Sequence, residues 1–146
     1  MSRLPLAFEF FALAPFLALA GCAITPAELG PNDFSDTRTV ELTVPTVNAV
    51  SAFYEGIRLC DSHRGVKCGP QRSDGSAVCD VYEAAVFWAN PLVLGRAYFD
   101  AAAGGGTRAT FAVAKRYASG RADRASLLNR TFDDWSRFAS GKAACQ

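Results

Sequence analysis

"RAYFDAAAGGGTRATFAV", residues 96–113, shows a period of two on either side of three consecutive glycines. Val93, Ala97, Phe99 and Ala101 alternate with Arg96, Tyr98 and Asp100; beyond Gly104-Gly105-Gly106, Ala109, Phe111 and Val113 alternate with Arg108, Thr110 and Ala112. Alternation of this kind sends one set of side chains into a core and the other to solvent, and glycine adopts the positive φ that a tight connection demands. The stretch is predicted to be a β-hairpin, so the chain is built around an antiparallel sheet.

Working outward, Ala125–Ser140 places Leu128, Phe132, Trp135 and Ala139 on one face and Arg124, Arg130, Asp133, Asp134 and Arg137 on the other, an amphipathic helix stopped by Gly141 at C′. Upstream, Val78–Trp88 fits a strand or a helix by periodicity; its β-branched and aromatic content favours a strand, ended by Asn90-Pro91. Val40, Leu42 and Val44 alternate with Thr39, Glu41 and Thr43, a strand closed by Pro45. Thr46 can then N-cap a helix running to about Ser62, with Val50, Phe53, Ile57 and Cys60 as its buried stripe. The expected fold is α+β: an antiparallel sheet of three to five strands with two helices packed on one face, in the order β-α-β-β-β-α.

Five cysteines are present, Cys22, Cys60, Cys68, Cys79 and Cys145. The last four allow three disulfide pairings. Cys68–Cys79 with Cys60–Cys145 is favoured, because the turn-rich run Gly69–Ser76 gains from local closure and Cys60 lies on a helix face that a C-terminal tail can reach. A Cys₃His zinc site from Cys60, His63, Cys68 and Cys79 competes chemically but strands Cys145 and has no familiar spacing. No metal is therefore assigned, and no other cofactor.

Cys22 has a separate reading. Arg3 precedes Phe10–Ala20, an 11-residue apolar run too short to span a bilayer as a helix, and Ala20 and Gly21 are small residues before Cys22. Leu19-Ala20-Gly21-Cys22 resembles the lipobox of bacterial lipoproteins. That resemblance implies removal of residues 1–21, diacylglycerol on the Cys22 thiol, acylation of the new amine and anchorage of the mature chain in a membrane. Ala23 in place of an aspartate implies outer-membrane sorting, with the domain facing the periplasm. Residues 22–37 lack an apolar period and read as a lipidated tether, leaving 38–146 as one domain. Tyr54-Glu55-Gly56-Ile57-Arg58-Leu59-Cys60, the glycine-turned hairpin and Trp135…Gly141…Cys145 are together similar to a loose group of small proteobacterial lipoproteins, which implies a fold and a disulfide rather than an activity.

Little in the sequence points to catalysis. The single histidine, His63, follows Asp61-Ser62, and contiguous residues cannot converge as nucleophile, base and orienter. Asp133 and Asp134 project about 100° apart on a polar helix face. Gly104–Gly106 lacks the flanking residues of a phosphate loop. Fifteen basic against 14 acidic residues give no electrostatic footprint for nucleic acid. The aromatics Phe53, Tyr54, Phe87, Trp88, Phe99, Phe111, Phe132, Trp135 and Phe138 read as core, or alternatively as a groove. The expected function is a non-enzymatic, lipid-anchored periplasmic domain, structural or binding an envelope protein or other envelope component; the alternative is a carrier of an apolar ligand between helix and sheet.

Overall fold

Gly104 and Gly105 turn the chain with φ of 77° and 81° at the tip of the hairpin formed by β4, Val93–Ala101, and β5, Thr107–Ala114. The computed structural model describes residues 29–83, 92–142 and Cys145. Around the hairpin lie β1, Phe34–Leu42; α1, Thr46–Cys60; β2, Arg64–Cys68; β3, Ala77–Glu83; a short α2, Lys115–Ala118; and α3, Arg124–Ala139. All strand pairs are antiparallel and the spatial order is β1-β5-β4-β3-β2. This is the expected α+β class with five strands.

One face of the sheet carries Val81, Ala97, Phe99, Ala109, Phe111 and Val113, and α1 and α3 close over it with Phe53, Ile57, Leu128, Phe132, Trp135 and Phe138. Gly56 makes the approach of the two helices possible, because a Cβ there would meet the Phe138 side chain at 2.5 Å. The Phe53 ring packs edge-on to Phe99 and to Trp135 at centroid separations of 5.5 and 5.9 Å, within the favourable range for aromatic pairs. The opposite face is polar: Thr39 faces Thr110, Glu41 faces Arg108 and Asp80 faces Arg96. Burial opposes the charge on Arg96, yet the Asp80 carboxylate 2.7 Å away and Tyr98 outweigh that cost and raise the guanidinium pKa above its ordinary value.

Several elements differ from expectation. Thr46 does not cap α1: Pro45 occupies the cap position, and the Thr46 hydroxyl lies 3.3 Å from that of Thr107 instead. The helix stops at Cys60, and β2 follows it as an added strand paired with β3. Its sequence, Arg-Gly-Val-Lys-Cys, has too few apolar residues to announce a strand; a partner in β3 and the Tyr82 ring over Gly65 hold it. Gly141 does terminate α3, at φ 76°, with its N–H donating to Phe138 O and the Lys142 N–H to Arg137 O.

The N-terminal boundary also moves. Residues 29–37 belong to the fold and not to a tether: Leu29 is buried, Pro31–Asp33 form a 3-10 turn, and β1 starts at Phe34, not Thr39. Backbone pairing with β5 and ion pairs to α3, Asp36 to Arg124 and Arg38 to Asp133, replace the apolar alternation that this half of the strand lacks. The Ser35 hydroxyl, opposed by desolvation and helped by Arg124, holds the Asp36 pKa below its ordinary value. A depressed carboxylate stabilises the fold above its unfolded pKa, and that contribution is lost as pH falls through the lower folded value. Asp36→Asn is therefore expected to flatten the acid limb of the stability profile below about pH 4 by less than about 1 kcal/mol, since the pair is largely solvated; urea midpoints measured across pH check it. The expected leader 1–21, Cys22 with its expected lipidation, Phe87 and Trp88 lie outside the described residues.

Candidate functional site

The four domain cysteines are consumed in pairs. Cys68 and Cys79 are directly opposed in the β2–β3 register, Cα atoms 4.0 Å apart. The next ladder bond, Gly69 N–H to Val78 O, makes theirs the close, non-hydrogen-bonded kind of pair. Cys60, at the end of α1, is bonded to Cys145 beyond α3. Both are the pairings favoured from sequence. With Cys60, Cys68 and Cys79 so engaged, their thiolates are not free to join His63 on a metal ion.

His63 is exposed on the turn between α1 and β2, its backbone N–H donating to Asp61 Oδ1 at 3.2 Å. Asp133 and Asp134 part company: Asp133 bridges to Arg38 on β1, whereas Asp134 pairs with Arg137 one turn along at 2.7 Å. They form no joint carboxylate site. Phe53, Phe99, Phe111, Trp135 and Phe138 are buried in the shared core, so the space between helices and sheet is filled by the protein itself.

A candidate recess lies at one end of the sheet. A cleft of about 400 Å³ opens between the α1–β2 turn, the β3 and β4 ends, and α2; its lining includes His63, Arg64, Glu83, Arg116, Tyr117 and Arg121. Arg64 anchors the floor. Its Nε lies 3.0 Å from Asp61, it donates to Tyr117 Oη at 2.7 Å, and its guanidinium sits 5.5 Å from the Tyr117 ring centroid. Arg64 and Asp61 also line a second, narrower recess of about 190 Å³ with Arg130, Asp134 and Arg137, so the two share a wall.

The cleft's charges are unevenly committed. Asp61 is held by Arg64, while Arg116 makes no ion pair with a described residue and Arg121 has only Asp123 at 3.7 Å. Glu83 is the one lining carboxylate without an ion pair among the described residues. Sequence reasoning did not find this cluster. Arg64 and Tyr117 are 53 positions apart, and only the reach of the Arg64 side chain from the start of β2 to α2 joins them.

No protein-family model matches the chain, and no curated protein matches it. Among solved structures, protein Ms6760 from Mycobacterium smegmatis aligns with 76% of this chain and 88% of its own at 16% identity. The TM-score is 0.34, too slight a likeness to carry a fold or a function from one to the other.

Proposed function

We propose that this chain is a lipid-anchored, disulfide-bonded binding domain of the bacterial outer membrane, without catalytic activity, that faces the periplasm and engages an envelope protein or another envelope component. The observation that carries this reading is cysteine parity: Cys60, Cys145, Cys68 and Cys79 form two disulfides, which leaves Cys22 as the odd sulfur in a lipobox-like Leu19-Ala20-Gly21-Cys22. Disulfides persist in oxidising compartments, and a lipobox operates on exported chains. Removal of residues 1–21 makes Cys22 the first residue of the mature protein.

The fold starts close behind that anchor. Six residues, 23–28, separate Cys22 from buried Leu29. The seven Cα–Cα steps, at ~3.5 Å each, reach at most about 25 Å, so the domain sits near the membrane surface. The arginine-lined cleft, with a volume in the range of small-ligand sites, is the surface suited to recognition. The apolar-carrier alternative is less favoured, because aromatic side chains fill the core between helices and sheet, and the recess of about 310 Å³ between β1 and α3 is lined by Asp36, Arg38 and Asn129 as well as by Leu128 and Phe132.

Fractionation tests the reading. The chain expressed in a Gram-negative host is expected in the outer-membrane fraction, extractable only with detergent, whereas Cys22→Ser is expected to lose membrane association almost completely, since the acyl chains supply roughly 0.8 kcal/mol per buried CH₂. Equal membrane retention of both forms overturns the anchor.

A further inference from the structure

We infer that the cleft between the α1–β2 turn and α2 is a binding site for a phosphate oxyanion, of the kind carried by a membrane headgroup or free in the periplasm. The inference rests on the reading of this domain as a binding module and supplies its ligand class.

Three observations support it. First, the cleft gathers Arg64, Arg116 and Arg121 with His63 around a volume of about 400 Å³, and among the described residues Arg116 has no ion-pair partner and Arg121 only Asp123 at 3.7 Å. Guanidinium forks match phosphate oxygens in pairs, which makes arginine the residue suited to such anions. Second, Arg64 is held rigid by Asp61 and by the Tyr117 hydroxyl and ring, so one donor set is already positioned before a ligand arrives. Third, one wall of the cleft belongs to the strand that touches the start of the fold: Leu94 lines the cleft, and two residues along β4 the Arg96 guanidinium donates to Leu29 O at 3.4 Å.

Glu83 sets the sign of a decisive control. Its carboxylate shares the cleft with the arginines and repels an incoming phosphate, so Glu83→Gln is expected to tighten binding. The full chain, purified in a neutral detergent, is titrated calorimetrically with inorganic phosphate and, separately, with glycerol 1-phosphate, the headgroup fragment of an anionic phospholipid. Arg116→Gln/Arg121→Gln is expected to raise Kd by roughly tenfold or more through the loss of charge-assisted hydrogen bonds. Arg108→Gln, at a position paired with Glu41 and opposite Asp100 at the hairpin end of the sheet, the far end of β4 from Leu94, is expected to leave Kd unchanged.

Preference for glycerol 1-phosphate identifies a headgroup as the source, and equal or better binding of inorganic phosphate identifies a free anion; both support the oxyanion site. Absence of binding by either probe overturns it. So does an Arg108→Gln effect equal to that of the double variant, or weaker binding by Glu83→Gln. None of these outcomes bears on Cys22 anchorage, which fractionation reads separately.

Discussion

A Cys60→Ala/Cys145→Ala variant is expected to lose about 4.5 kcal/mol of folding stability by the chain-entropy account, against a typical total of roughly 5–15 kcal/mol. The bond closes a sequence separation of 85 residues that includes all of β2, β3, β4, β5 and α3. Cys145 is exposed and Cys60 only partly buried, so truncation leaves little cavity, and the cost lies in the freedom regained by the unfolded chain. The urea midpoint of the variant measures it. A loss below about 1 kcal/mol contradicts the clamp and points to structure retained in the reduced chain. The Cys68–Cys79 bond closes a separation of only 11 residues, worth about 3 kcal/mol on the same account, but fully buried Cys79 adds packing that the longer clamp lacks.

Trp135→Ala is expected to cost about 3–5 kcal/mol, the range for removing a large aromatic from a packed core. Trp135 is 1% exposed and stacks edge-on with Phe53 and Phe111 at 5.9 and 6.0 Å. Its ring lies directly over Gly95 of β4. A Cβ at that position would come within 2.6 Å of the indole and 2.5 Å of Ala112 O, so the absence of a side chain in the strand is what seats the helix. Gly95→Ala is accordingly expected to destabilise by about 1–3 kcal/mol through overpacking. Trp135→Phe separates shape from polarity. The indole N–H has no hydrogen-bond partner among the described residues, so the phenyl replacement gives up packing but no hydrogen bond to them and is expected to cost clearly less than alanine. Thermal or urea unfolding of the three variants checks the order.

The hairpin, α1 and α3 were legible because their apolar spacing is set by the packing it serves: Phe99 and Phe111 at period two, and Phe53 with Ile57 and Phe132 with Trp135 at helical spacing, all reach one core. The disulfide pairs were legible for a related reason, since a turn-rich run between Cys68 and Cys79 folds back on itself. The first half of β1 and all of β2 were not. They are the edge strands of the sheet, held by backbone pairing and by ion pairs such as Asp36–Arg124, which leave no periodic trace. Thr46 misled because a hydroxyl ahead of a helix is a good cap only when no better partner competes, and Thr107 competes. The cleft was invisible for the strongest reason. His63 comes from a turn and Arg64 from the first position of an unannounced strand, and Arg116, Tyr117 and Arg121 from a four-residue helix and the segment after it. No spacing rule links them.

The shortened tether reshapes the functional picture as well. On the proposed anchorage at Cys22, residues 29–37 lying inside the fold would hold the domain near the bilayer and not suspend it, which would favour recognition of something in or on that surface.

Intact mass spectrometry of the chain extracted from the envelope, without reduction and after exposure to an alkylating reagent, tests the central claim in one spectrum. The account predicts a protein that begins at Cys22, carries the mass of its acyl chains on that residue and takes up no alkyl groups, because its other four sulfurs are bonded in two pairs. A chain that retains residues 1–21, or an unmodified Cys22, or alkylation at any of Cys60, Cys68, Cys79 and Cys145, contradicts it.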